Sequence, residues 1–322
     1  MIARHGPSLM ALACAAVCLT ATPARSQTLL PGLAAADSLY DVEMVGSHAW
    51  IVGSPGVLLH SSDGGATFAP QGSLGSTALF AVDFVSETQG WVAGRGGQVL
   101  ATSDGGTTWT PQATGTTEPL LAMDFFDATH GMAVGNFAAA VRTDDGGKSW
   151  KPMRVAPEGE DPTLNGVALL SATEAVVVGE FGGVWRTADA GLTWEVVDAG
   201  VSESLFGVAA LGGSVLAAVG SEGTLVVSED GGKTFASVDL GTRAYLYRVT
   251  LGAGRVILTG NRGVVLSADA VKGPYTSWTA PTYFWLCGAA LGADGKGLLV
   301  GARGLALTTA DGGKTWTRWG QP

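Results

Sequence analysis

Paired carboxylates would be the simplest route to chemistry in this sequence. A glycosidase needs only two facing acids, one to protonate the leaving group and one to attack or to activate water. Asp161, Glu180, Glu203 and Glu222 offer candidates for such a pair. In a chain of 28 acidic and 18 basic residues they read first as solvated loop acids. His48, His60 and His130 fall on different predicted strands with no second His or Cys at ligand spacing, which argues against a protein-built zinc site. Neither a nucleophile elbow nor a phosphate loop is found. No catalytic residue, metal or cofactor is therefore assigned.

The acids that do form a pattern are aspartates. SSDGGATF, TSDGGTTW, TDDGGKSW, TADAGLTW, SEDGGKTF and TADGGKTW carry Asp63, Asp104, Asp145, Asp189, Asp230 and Asp311. A seventh, damaged copy, SADAVKGPYTSW, carries Asp269 and lacks the glycine. Successive aspartates are 41, 41, 44, 41, 39 and 42 residues apart. Glycines about ten residues earlier keep step, at Gly53, Gly94, Gly135, Gly179, Gly220, Gly260 and Gly301. So do the leucines that open each unit: Leu39, Leu79, Leu120, Leu164, Leu205, Leu246 and Leu286. A ring of catalytic or metal-binding carboxylates is disfavoured, because the turn repeats alike on every unit.

Elements that could position these residues follow from one unit. LFAVDFV, GWVAG, QVLATS and TWTPQ are short runs rich in Val, Leu, Phe, Trp and Thr, bounded by Gly and Asp. Four strands recurring seven times predict an all-β fold, a seven-bladed β-propeller of four antiparallel strands per blade, over residues 27–322. The aspartate turn lies between third and fourth strands, its carboxylate accepting bonds from following backbone N–H groups. The aromatic five residues on is expected on the outer strand, packing back into the blade. How the ring closes, and whether residues 27–37 add a strand, stays open at this point.

The SxDGGxTW turns are Asp-boxes, and residues 38–319 resemble the bacterial neuraminidase repeat propellers. GWVAGRGGQVLATSDGGTTW and GLLVGARGLALTTADGGKTW resemble more narrowly the photosystem II stability and assembly factor family. That resemblance implies a seven-bladed, exported, non-enzymatic protein that helps membrane complexes assemble. For relatives outside photosynthesis it implies accessory roles beside RND/MMPL-type transporters. Sialidases share the box but need an arginine triad, a Tyr nucleophile with its Glu, and an xRIP motif; RVAP at 154–157 is the nearest string and sits in a loop before the fourth unit. The alternative function is a glycan-active propeller, sialidase-like or lectin-like.

Turns between second and third strands should share the face opposite the Asp-boxes, and they differ from blade to blade. Arg95, Arg262 and Arg303 place arginines on blades two, six and seven. YLYR and YFWLC add Tyr245, Tyr247, Arg248, Tyr283, Phe284 and Trp285 beside them. Arg and aromatic residues are enriched at interface hot spots, so this set is the candidate protein-binding sector. The positional match of Arg95, Arg262 and Arg303 to the family's Arg-Gly turns points the same way. Glu43, Asp83 and Asp124, on the first strands of blades one to three, read as channel-lining groups.

Residues 1–26 have a basic start, an apolar stretch and a small-residue end, the pattern of a cleaved secretory signal. The expected location is the periplasm, and the expected partner a protein, an inner-membrane complex met at its periplasmic face. Beyond the leader no apolar run is long enough to span a bilayer. A formal charge of −10 without any Lys/Arg block excludes nucleic acid as partner. Cys287, the one cysteine outside the leader, is expected to be a small buried residue.

Overall fold

A computed structural model of the chain describes residues 29–71, 75–280 and 282–321. The expected leader, 1–26, lies outside the described residues. Seven four-stranded antiparallel sheets form the blades, each with its strands in chain order. Blade 1 comprises β1 (Ser38–Val45), β2 (His48–Ser54), β3 (Val57–Ser61) and β4 (Ala69–Pro70). Blades 2 to 7 begin at Leu79, Leu120, Leu164, Leu205, Leu246 and Leu286. Second strands such as AVVVG in blade 4 are buried at every position, because neighbouring blades cover both faces of each sheet. Hydrophobic clusters accordingly bridge adjacent blades rather than filling one centre. All seven opening leucines are wholly buried.

The glycine register has a steric cause. In every blade the first strand bulges just after its leucine, so that Leu39 pairs with Gly53 and Asp41 with Val52, leaving Tyr40 as the extra residue. A Cβ on Gly53 would run into the carbonyl of Ser38, and one on Gly94 into that of Ala78. The other five glycines of the register meet the same obstacle in their own blades. The extra residues, Tyr40, Phe80, Leu121, Asn165, Phe206, Tyr247 and Cys287, all turn into the central channel.

The Asp-boxes form as expected in six blades. Asp63 accepts from the Thr67 N–H at 2.9 Å, the Thr67 hydroxyl at 2.6 Å and the Ser61 hydroxyl at 2.7 Å. These bonds favour the ionised form and hold the Asp63, Asp145, Asp189 and Asp230 carboxyls at about 2. In blade 6 the lost glycine changes the turn, and Asp269 pairs instead with Arg255 at 2.6 Å. The aromatics five residues on sit one position before the outer strand and pack inward. Phe68, Trp150 and Trp316 are buried, while Trp109 stands edge-on to Phe84.

Each terminal blade is complete from its own unit, so no strand is exchanged at the junction. Side chains close the ring: the Trp319 indole donates to Gly65 O at 3.0 Å. Equivalent clasps to the next Asp-box are made by Trp50 to Gly105 O, Trp91 to Gly146 O and Arg186 to Gly231 O. Residues 29–37 add no strand; Leu30 is buried in the cluster between blades 7 and 1.

Candidate functional site

First strands build the channel, which encloses about 690 Å³. Around its mouth, the Tyr40 ring lies 5.3 Å from Phe80 and stacks on Trp285 at 5.8 Å, and Phe206 lies 5.6 Å from Tyr247. Deeper in, Asp41, Glu43, Asp83 and Asp124 share the wall with Arg248. Three of these acids also tie blade to blade. Asp41 accepts the Val82 N–H, Asp83 the Phe125 N–H at 2.5 Å, and Asp124 the Leu169 N–H at 2.6 Å. Burial pushes Glu43 up to about 7 and Asp124 to about 6. Burial raises Asp83 well above the ordinary carboxylate value, aided by the charges of Asp124 and Glu43. Burial also raises Asp41, with Arg248 opposing. Glu43, Asp83 and Asp124 thus line the channel as anticipated, whereas Asp41, equally central, had no repeat to mark it.

Arg248 requires a correction. It belongs to the channel rather than to the outer face, because its place two residues after Leu246 points it inward, 3.1 Å from Asp41. Cys287 lies between them on blade 7, half-buried, its thiol donating to Tyr40 O at 3.0 Å. Burial pushes that thiol up, away from a reactive thiolate.

The two faces of the ring separate as predicted. Asp-box turns bond to the turns after the first strands, as in Gly105 N–H to Thr88 O. Turns between second and third strands bond instead to the loops that lead into the first strands, as in Asn261 N–H to Tyr245 O and Ala302 N–H to Trp285 O. In five of these turns the tip is a non-glycine residue in left-handed conformation: Phe137, Phe181, Glu222, Arg262 and Arg303, with φ between 53° and 58°. Arg95 is not their equivalent. Its turn reads Arg95–Gly96–Gly97 with Gly96 at the tip, so Arg95 stands one residue earlier, though exposed on the same face.

Blades 6 and 7 do assemble an Arg/aromatic surface. Tyr283 is 91% exposed. The Arg303 guanidinium lies 5.0 Å over the Phe284 ring, a cation–π contact that presents its charge at the rim. Arg262 is exposed at its turn tip, and Tyr245 is exposed beside Phe206. Tyr247 and Trp285 are half-buried at the channel mouth. Arg243, exposed in the loop before Leu246, belongs to the same surface. Its position three residues before the leucine register could have revealed it.

The four candidate glycosidase acids all lie on this face too, in blades 4 and 5. Glu180 is engaged by the Thr163 N–H at 2.9 Å. His48 and His60, by contrast, do meet: adjacent strands bring Nδ1 of one within 2.8 Å of Nε2 of the other, against Trp50. Cross-strand pairing, invisible in spacing along the chain, creates that contact. Among the described residues no group of three or more His, Cys, Asp or Glu is arranged to hold a metal ion.

A family model described as photosynthesis system II assembly factor YCF48 matches residues 111–285, more than half the sequence. The chain belongs to this YCF48 family. Among solved structures it is similar to YCF48 bound to D1 peptide, with 18% identity, a TM-score of 0.71, and coverage of 88% of this chain and 94% of that one. YCF48 from Cyanidioschyzon merolae gives 18% identity and a TM-score of 0.69, covering 89% of this chain and 99% of the other. The WD40 propeller domain of Doa1 aligns at 12% identity with a TM-score of 0.70, covering 85% and 93%. No curated protein matches the sequence. At these identities the likenesses establish the propeller fold, and the family model establishes membership.

Proposed function

We propose that this chain is an exported, non-catalytic protein-binding propeller that serves as an assembly or accessory factor for a membrane protein complex, of the RND/MMPL transporter type, at its periplasmic side. The observation that carries this reading is the surface of blades 6 and 7, where exposed Tyr283 stands beside Arg303 held over Phe284, with Arg262 and Arg243 alongside. Large exposed aromatics combined with guanidinium groups suit the capture of an acidic, partly apolar polypeptide segment. A YCF48 structure bound to D1 peptide supports a peptide-binding role within the family.

Two features weigh against catalysis. The most perturbed acids are engaged as blade ties or face Arg248 inside a narrow channel, and the four outer acids are spread over turns and loops. The test is affinity co-purification of the mature protein from detergent-solubilised envelopes, comparing wild type with Arg262→Glu/Arg303→Glu. A membrane protein recovered in stoichiometric amount and lost from the variant is the expected result. Equal recovery from both removes the docking site, and turnover of a reporter glycoside would replace this reading with a glycan-active one.

A further inference from the structure

The opposite half of the same face is built differently. At the tips of blades 3 and 4 stand Phe137, 67% exposed, and Phe181, 81% exposed. Both hold left-handed backbone, at φ 53° and 56°, where blade 2 uses Gly96. Left-handed conformation is unfavourable for a residue with a bulky side chain, and neither ring covers a core. The repeated turn imposes this conformation, which Gly would adopt without penalty, so an exposed Phe at the tip is not explained by folding.

Acids surround these rings by direct connection. The Ala138 N–H bonds to Pro162 O at 2.8 Å, fixing the Pro157–Pro162 loop, with exposed Glu158, Glu160 and Asp161, beside Phe137. Glu180 precedes Phe181 and accepts from Thr163 at the end of that loop. The Phe181 N–H bonds to the Ser204 hydroxyl at 3.3 Å, bringing Glu203 alongside, and Glu222 forms the next tip. Two cations adjoin these acids: Arg154, engaged by Pro157 O and Glu160 O and 3.9 Å from Asp161, and Arg243 at the blade 5 edge, where Gly223 N–H bonds to Ala244 O at 2.9 Å. The face is therefore bipolar, cationic–aromatic over blades 6 and 7 and anionic–aromatic over blades 3 to 5.

We infer that blades 3 to 5 form a second docking surface, for a basic polypeptide segment with apolar side chains that seat on Phe137 and Phe181. Charge complementarity selects this occupant: the carboxylates repel acidic segments and attract Lys and Arg, while the rings supply apolar contact. The surface meets the arginine sector only where the Glu222 turn adjoins Arg243, while Phe137 and Phe181 lie on blades 3 and 4, so its failure is distinguishable from failure of that reading.

The probe is a fluorescein-labelled peptide of alternating Lys and Leu, with its Glu/Leu counterpart, read by fluorescence anisotropy. Phe137→Gly/Phe181→Gly suits left-handed turns and should leave the melting temperature unchanged or raised, while weakening the Lys/Leu peptide about tenfold or more. Glu203→Gln/Glu222→Gln should reduce the salt dependence of binding. Arg262→Glu/Arg303→Glu should not weaken it. Unchanged affinity in the Phe double variant overturns the proposal, as does equal loss from Leu192→Ser/Val196→Ser on the Asp-box side. Binding of the Glu/Leu peptide as tightly as Lys/Leu overturns it too. Wild type that self-associates in sedimentation velocity, with a monomeric Phe double variant, would make this a contact between copies and likewise overturn it.

Discussion

Replacing Arg248 with Met would remove the guanidinium that faces the carboxyl groups of Asp41, Glu43 and Asp124 in the channel. Asp41, 3% exposed, would keep its bonds from the Val42 and Val82 N–H groups but lose its ion-pair partner at 3.1 Å. Stranding a buried charge costs about 3–5 kcal/mol. With the Arg248 side chain 34% exposed, water screens part of the pair and about 2 kcal/mol is the discounted figure. For a domain of this size that corresponds to about 4 °C in Tm. The loss must depend on pH, because Asp41 already titrates above its ordinary 3.8 and would rise further without Arg248. Where the stranded carboxylate is charged, at the alkaline end, the full loss appears; as pH falls and it takes up a proton, the loss shrinks. Glu43 and Asp124 feel the same guanidinium and act in the same direction. Circular dichroism melts of wild type, Arg248→Met and Asp41→Asn/Arg248→Met at alkaline and acidic pH test this. Equal Tm for wild type and Arg248→Met at alkaline pH, or no recovery in the double variant, would refute the channel electrostatics.

Trp109→Ala should lower stability by about 3 kcal/mol, since the ring packs edge-on to Phe84 between blades 1 and 2; a urea titration reads it, and partner recovery should be unaffected. Gly232→Ala should destabilise strongly, because φ there is +81° and the new Cβ would strike Val176 Cγ2; a melt no lower than wild type would disprove the assigned turn. Stability should fall at both ends of the pH scale, for opposite reasons. Glu43 binds its proton more tightly folded than unfolded, so stability declines as pH rises from 4.5 through about 7. The box aspartates bind theirs less tightly folded, so the stability they give above their ordinary 3.8 is lost as pH falls toward about 2. Urea midpoints across pH should show a maximum between these limits.

Much of the fold was legible because backbone constraint repeats. Leu and Gly recur where every blade needs a buried anchor and a strand position without Cβ opposite the bulge, and Asp where six of the blades use a carboxylate to close a turn. The proposed docking residues sit on positions the fold leaves free, and there repetition gives no help. Phe137 and Phe181 occupy turn tips that other blades fill with Gly, Glu or Arg, so their exposure could not be read from residue type. YLYR leads toward the outer face, but the bulge after Leu246 sends Tyr247 and Arg248 into the channel instead. Asp41 became central through Arg248, which lies five blades away along the chain and two away around the closed ring.

Docking through blades 6 and 7 is tested most directly by a photo-reactive amino acid at Tyr283, irradiated in intact envelopes, with the same group at Leu192 on the Asp-box side as comparison. Tyr283 is 91% and Leu192 85% exposed, so both probes are equally accessible. One discrete protein adduct from position 283, absent from position 192 and lost on Arg262→Glu/Arg303→Glu, is the predicted result. No adduct at 283, or the same adduct from both positions, would contradict it.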